Sequence, residues 1–469
     1  MSGMGIRRFL TMWAICAALV CWSGLAGAQG DEHNTLDLTE CIRRALELNP
    51  RMEEALLDVT KSRWKLKSAQ LERTPRMEVL NVMGMVQDAK GDAITGDSID
   101  DHYGFFNKMD MEFALPIYTF GRLSRGIDAA RQGVEAKEAS VEKAREDLIR
   151  RVKELYYGLV LARQMRDSTR EIQENFTEAR DIAEERLEKG EGTVAETDVL
   201  KLRIGLAGVT EGLRKIERET LVTREALREA IGMEEGANLN LADERLKPVD
   251  FQLKPLDEYL ARAEFNNPDL RQLKAGVEAT KAEYLSEKSK FYPSVLIVGG
   301  IRHAEAPGRE DQDNPFLNDD FNYFKAGGAV AFKWNMNLFQ TNAEVQEKKT
   351  DYLRMESRLR HGMNGILLNV KDKFYKVEEK KAGLETSFEA RKSGRALLVL
   401  TMTNFKFGIG SGKDVFDALG VYARTAGKYY EAVYEYNMAV AELKSAVGEG
   451  YDAERFQAME ASQENGGVE

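Results

Sequence analysis

The stretch YGFFNKMDMEFAL, residues 103–115, alternates with a period of two. Tyr103, Phe105, Met109, Met111, Phe113 and Leu115 form one row, interrupted by Asn107. Lys108, Asp110 and Glu112 form the other, completed by Gly104, Phe106 and Ala114. Side chains of a strand point alternately to opposite faces of a sheet, so the pattern predicts a strand with one apolar and one polar face. A second stretch, FKAGGAVAFKWNM at 324–336, repeats it. Phe324, Ala326, Gly328, Val330, Phe332, Trp334 and Met336 share its apolar face; Lys325, Lys333, Asn335 and Asn337 belong to the polar one. Laying Phe113 on Phe332 brings the two apolar rows into step, so both strands turn them the same way. Each is long enough to cross a bilayer as a tilted strand, which takes about 9–11 residues.

Upstream of each stands a partner that alternates weakly, and polar loops at 88–101 and 303–320 join the pairs. Strands are therefore expected at 76–87, 103–115, 294–302 and 322–336, as two hairpins. Four strands cannot close a barrel, since single-chain barrels start at about eight, and open edges are not tolerated in lipid. A membrane sheet of this kind must be shared: two chains would supply eight strands and three would supply twelve. The alternative is a pair of hairpins on a soluble helical protein.

The rest of the chain repeats at nearly the same spacing, which marks an internal tandem duplication. Asn49-Pro50 recurs as Asn267-Pro268, and Pro75 recurs as Pro293 at the identical offset. Gly192 and Asp198-Val199 recur as Gly408 and Asp414-Val415 at a slightly shorter one, and both halves close alike, at Ala230-Ile-Gly232 and Ala446-Val-Gly448. The first repeat is read as 29–232, a linker as 233–255, the second repeat as 256–448 and a tail as 449–469.

Each half also contains one very long helical pattern. From Arg122 to Lys189 there is no proline, and apolar residues fall three and four apart, for example Val141, Ala144, Leu148, Val152, Leu155, Leu159 and Ala162. This is coiled-coil spacing, and a helix of that length is a rod of roughly 100 Å. Shorter helices at 51–73 and 196–231 add to nearly the same length and could lie end to end beside it. The second half offers 269–290, 341–406 and 414–447. The expected fold class is mainly α, a long coiled-coil helical barrel with four barrel strands per subunit.

Residues 1–28 read as a signal peptide: Arg7 and Arg8, an apolar stretch over 9–22, and Ala26-Gly27-Ala28 for cleavage. Lipoprotein processing is disfavoured, because Cys16 and Cys21 follow Ile15 and Val20. The mature chain keeps one cysteine, Cys41, and its formal charge is −13, the whole-chain −11 less the two signal arginines. An acidic secreted chain is a poor partner for nucleic acid. Its four histidines show no metal-ligand spacing, and no apolar run after the signal is long enough for a transmembrane helix.

With these residues in place, the whole mature chain resembles the TolC-like outer-membrane efflux proteins. The resemblance rests on the Ala-x-x-x-Asn-Pro openings (Ala45 to Pro50, Ala263 to Pro268) and the proline before each hairpin. It rests further on Leu115-Pro-Ile-Tyr-Thr-Phe-Gly entering the long helix, and on Gly-x5-Asp-Val at both helical turns. It implies a homotrimer with a twelve-stranded barrel in the outer membrane and a helical tunnel across the periplasm. It also implies docking to a periplasmic adaptor and an inner-membrane pump, no cofactor and no enzymatic chemistry. The linker 233–255 and the segment after Val447 would belong to a belt around the tunnel.

The helical turns are the candidate site. Thr193-Val-Ala-Glu196 reads as a capping box and Ser411-Gly-Lys-Asp414 as its near equivalent, which is a sufficient local account. The resemblance adds that these turns, with Gly192, Thr193, Gly408 and Ser411, lie at the periplasmic mouth where adaptors dock. Asp414 and Asp417 match the family's aperture aspartates, and Asp198 a residue that helps hold the gate shut. Three apart, Asp414 and Asp417 share a helix face. The family's nearby arginine and tyrosine are replaced by Gly410 and Phe405, so its polar latch is not expected in the same form. Tyr422, Tyr429, Tyr430, Tyr434 and Tyr436 read as helix packing, and no nucleophile–base arrangement is discernible. Two functions remain from the sequence: an exit duct for efflux or type I secretion, or a soluble periplasmic coiled-coil scaffold.

Overall fold

The structure, a computed structural model, describes residues 35–90, 98–190, 194–234, 236–310 and 319–450; the signal peptide and the tail beyond 450 lie outside them. In chain order the described elements are β1 (Thr35–Leu36), α1 (Leu38–Leu48), α2 (Pro50–Leu71), β2 (Arg76–Lys90), β3 (Ser98–Tyr118) and α3 (Arg122–Lys189). There follow α4 (Glu196–Ala230), β4 (Asn240–Leu241), α5 (Leu256–Asn266), α6 (Pro268–Lys288), β5 (Ser294–Glu305), β6 (Tyr323–Lys333), α7 (Leu338–Lys406) and α8 (Gly412–Ala446). The first long helix spans the residues its pattern marks; α2, α4, α6, α7 and α8 differ from expectation by a turn or less at either end, while α1 and α5 answer to no helix expected from the sequence.

Each long helix carries two short ones. α2 and α4 both pack along α3, and α6 and α8 both pack along α7. The second pair also packs on α3, which makes α3 and α6/α8 the middle of the layer. α2 with α4 forms one open edge and α7 the other. Both edges keep large apolar side chains in solvent: Leu56, Leu57, Trp64, Ile204 and Val222 on the first, Leu368, Phe388, Val399 and Leu400 on the second.

The duplicated motifs meet at two equivalent junctions. Pro50 and Pro268 occupy the first helical turn, where a missing N–H costs nothing, and Asn49 and Asn267 are the N-caps. The Asn49 side-chain oxygen accepts from the Arg51 N–H at 3.0 Å, and that of Asn267 from the Leu270 N–H at 3.1 Å. The amide nitrogens face the other way, donating to the carbonyls of Ala230 and Ala446, each at 2.9 Å. Those carbonyls belong to the last turns of α4 and α8, where no helical N–H remains for them. The same two ends close as Schellman caps. Met233 and Glu449 N–H reach back to the Arg228 and Lys444 carbonyls at 3.0 and 2.8 Å. Gly232 and Gly448 take the positive φ this needs, 69° and 77°. One asparagine thus starts one helix and finishes another, once per repeat.

The linker is tied down at mid-height. β4 pairs in parallel with β1, the Tyr156 hydroxyl donates to Asp243 at 2.7 Å, and Asn437 bonds both the Lys247 carbonyl and the Val249 N–H, each at 2.9 Å. Cys41 lies fully buried beneath this region, and burial pushes its thiol up to about 12, so it is a core residue rather than a reactive one.

The larger sheet is antiparallel throughout, in the order β2-β3-β5-β6. Its register carries the rows seen in sequence straight across. Met77 faces Phe113, Gly299 and then Gly328; Val79 faces Met111, Ile301 and then Ala326. The neighbouring row pairs Leu80 with Asp110, Arg302 and Lys325. One face is therefore apolar and the other bears Arg76, Glu78, Lys108, Asp110, Glu112, Arg302, Lys325 and Lys333.

The strand limits correct the expectation. β2, β3 and β5 run into the supposed loops, because a backbone ladder continues regardless of side-chain polarity. β6 stops at Lys333 rather than 336: its last partner is Ser294, and Pro293 before it has no N–H to offer residues 334–336. β2 and β6 are left as open edges.

Candidate functional site at the two helical turns

At the end away from the sheet, α3, α4, α7 and α8 share one core. Phe176, Val199, Leu202, Met402, Phe405, Val415, Leu419 and Tyr422 are all buried there. Tyr430 and Tyr436 are buried too, while Tyr429 and Tyr434 pack at the edge of the core, so the tyrosine cluster is helix packing as expected.

The second turn is fully described. α7 ends in a Schellman cap: the Gly408 N–H returns to the Phe405 carbonyl at 3.0 Å and Ile409 N–H to that of Asn404 at 2.8 Å, with Gly408 at φ 81°. α8 then opens at Ser411, whose hydroxyl oxygen accepts from the Asp414 N–H at 3.3 Å. Asp414 answers with one carboxylate oxygen, which accepts from the Ser411 N–H at 3.0 Å and from its hydroxyl at 2.9 Å. These bonds favour the anion, so Ser411 N–H first and its hydroxyl second hold the Asp414 carboxyl below the usual range. Asp414 and Asp417 both stay exposed.

The first turn departs from expectation. Gly192 and Thr193 lie outside the described residues. The N-cap of α4 is Ala195, not Thr193, and it has no side-chain oxygen to give. Glu196 is the first helical residue, too early to act as the returning acid. That part falls to Asp198, which accepts from the Ala195 N–H at 3.4 Å.

Asp198, 6% exposed, is set apart from the two exposed aspartates. It sits against Gly412 of the second turn, where an added Cβ would stand 2.8 Å from the Asp198 Cβ. Glycine at 412 is what lets the two turns touch.

Sequence reading also missed Arg186. Its guanidinium donates to the carbonyls of Phe405 at 2.7 Å and Lys406 at 3.0 Å, and lies 5.1 Å from the centre of the Phe405 ring. A cation there neutralises the negative end of α7 and couples the last turns of the two long helices. An arginine in the final turn of a long helix was the available signal. Phe405 is buried under it, and Gly410 has φ 103°, a backbone region an arginine would not readily occupy. Phe407 and Ile409 at the tip are 78% and 64% exposed.

No helix among the described residues is long and apolar enough to cross a membrane. Comparison with known proteins bears on the whole arrangement. The family profile described as outer membrane efflux protein matches residues 41–233 and 259–449, one match per repeat. The alkaline protease secretion protein AprF of Pseudomonas aeruginosa is 23% identical over 462 residues, covering 95% of this chain and 89% of that one. Among solved structures, the outer-membrane channel OprN superimposes with a TM-score of 0.73 at 17% identity, over 88% of this chain and 90% of that chain. The CmeC outer membrane channel of Campylobacter jejuni does so with a TM-score of 0.70 at 16% identity, over 91% of each. The chain belongs to the outer membrane efflux protein family, a family of channel proteins rather than enzymes.

Proposed function

We propose that three copies of this chain close into a passive channel, a shared twelve-stranded barrel in the outer membrane continued by a helical tunnel in the periplasm. The observation that carries the reading is the matching of open edges. β2 leads from α2, and β6 leads into α7, so the sheet and the helical layer are both unpartnered on the same two sides. The two edges differ, so a copy joins its neighbour head to tail, a contact that gives a ring where the rotation closes, as a sheet in lipid requires because it tolerates no open edge. The face pattern supports a membrane setting: the apolar rows would meet lipid, and the charged row of Lys108, Asp110, Glu112, Arg302 and Lys325 would line water. Aromatic Tyr118, Phe120, Tyr292 and Trp334 at the helix-proximal end suit the lipid–water interface.

The helical turns then form the periplasmic mouth. Asp414 and Asp417 would ring the opening with six carboxylates, favouring cations, and Asp198 would hold the two turns together behind them. Phe407 and Ile409 would dock a periplasmic adaptor, which joins the duct to an inner-membrane pump that supplies the energy. The secretion role named for the AprF relative favours type I secretion over drug efflux as the first system to test.

Membrane fractionation and planar-bilayer recording of the detergent-purified oligomer test this. The expected result is an outer-membrane trimer with discrete cation-selective openings, and weaker divalent-cation block in the Asp414→Ala, Asp417→Ala double variant. A soluble, non-conducting periplasmic protein would leave the scaffold reading in its place. Unchanged block in the double variant would remove these aspartates from the gate.

A further inference from the structure

A lone four-stranded sheet exposes both faces, yet Ala304 and Ala306 are each only 1% exposed. The chain itself covers them. Beyond β5 it turns, Arg309 N–H donating to the Ala306 carbonyl at 2.9 Å, and runs beside the end of β2. There Arg309 bridges Ala89, and Glu310 N–H donates to the Ala89 carbonyl at 3.2 Å.

Arg309 fastens this segment from three directions. Its Nη1 donates to the Gln87 carbonyl at 2.9 Å, its Nε to Asp319 at 2.8 Å, and its guanidinium lies 5.4 Å from the centre of the Phe321 ring. The ion pair is largely out of water, with side chains 20% and 5% exposed. Phe321 meets Phe106 edge to face at 5.1 Å. Phe106 stands in the charged row, so this contact puts the segment on the charged face of the sheet. Asp88 lies beneath it, and a Cβ at Gly104 or Gly308 would overlap its carboxylate. Glycine at both positions lets the segment lie flush.

We propose that this strap, residues 304–310 with 319–323, narrows the end of the barrel farthest from the helices and sets the size of solute that passes there, with Arg309 as its positioning residue. The inference rests on the trimeric channel reading, in which three straps face one lumen. A fork of donors is required, since one cation must satisfy a carbonyl and a carboxylate at once.

The test is single-channel conductance of the purified oligomer, with neutral polyethylene glycols of graded size added on the strap side. Arg309→Ala should raise conductance about twofold and admit larger polymers, because pore radius governs both. Arg309→Lys should fall between it and the wild type. A Cβ at Gly308 would stand 2.4 Å from the Asp88 Cγ, so the Asp88→Cys, Gly308→Cys pair brings two thiols close enough to be tested as a disulfide across the strap. Oxidised, it should restore the wild-type size limit to Arg309→Ala, and a reductant should abolish the restoration. Unchanged conductance and size limit in an Arg309→Ala trimer would overturn the proposal. A wild-type protein that does not conduct would overturn the channel reading, and the strap's role with it.

Discussion

Asn267 offers the sharpest test of how the two repeats are joined. It is 7% exposed, and its amide group is divided between two helix ends. The oxygen serves the start of α6 and the nitrogen serves the Ala446 carbonyl at the end of α8. Asn267→Ala removes an N-cap, worth about 1 kcal/mol. It also strands a buried carbonyl, which costs about 1–3 kcal/mol, for a total of about 2–4 kcal/mol. Water cannot readily take over, since a Cβ at the adjoining Gly448 would already stand 2.5 Å from the Asn266 carbonyl oxygen. Asn267→Asp separates the two roles. Aspartate is as good an N-cap, but it has no donor and sets a negative charge against the negative end of α8. It should therefore be at least as damaging as alanine at neutral pH. Burial and the facing carbonyl would raise the folded-state pKa of this new carboxyl. Its stabilising contribution is then present below the unfolded-state value and lost as pH rises through the folded one, so acidification should partly rescue the variant. Urea titration of the helical circular dichroism at neutral and mildly acidic pH ranks the variants, using midpoints, which do not presume two-state unfolding. An Asn267→Asp protein as stable as wild type at neutral pH would refute the reasoning, because the shared donor would then hold nothing.

Removal of Arg186 should loosen the second turn. Arg186→Ala loses two charge-assisted bonds, about 1–3 kcal/mol for this partly exposed group, and hydrogen exchange should accelerate across residues 402–412. Unchanged protection there would mean the guanidinium is ornamental. Gly412→Ala places a methyl against Asp198 and should part the two turns, read as longer open times in bilayer recordings; wild-type gating would show that the turns do not need this contact. Ser411 depresses the Asp414 carboxyl, so the anionic cap stabilises above the unfolded-state pKa, and that stability is lost as pH falls through the lower folded-state value. Ser411→Ala should move the acid midpoint of cation block to higher pH, and an unmoved midpoint would separate Asp414 from block.

The long helices were legible because their pattern is local. The absence of proline from Arg122 to Lys189 and the three-and-four spacing of apolar residues are enough to specify a rod, and the helix runs over those same residues. The alternation around Phe113 and Phe332 specified faces equally well, since a strand's side chains have no freedom but to alternate. Strand ends were less legible. Polarity marked where the apolar band stops, whereas hydrogen bonding continued past it to Tyr118 and Glu305 and halted early at Lys333 for want of a donor at Pro293.

The candidate site divides along the same line. Ser411 with Asp414 follows from a spacing within one helix turn and needed no tertiary knowledge. The first turn has two overlapping cap spacings, Thr193 with Glu196 and Ala195 with Asp198, and residue preference alone favours the wrong one. The seat of Asp198 on Gly412 and the reach of Arg186 to Phe405 involve partners in the other repeat, and no local spacing encodes them. Sequence alone determined the duplication, the rods, the two-faced strands and the acidic turns, because each is a periodicity or a repeat along the chain. Only the tertiary structure decided that one asparagine closes each repeat, that sheet and helices leave the same two edges open, and that Arg309 folds a strap over the charged face. Those depend on which distant backbone carbonyls are left without a helical or strand partner, and that is settled only once the elements are packed.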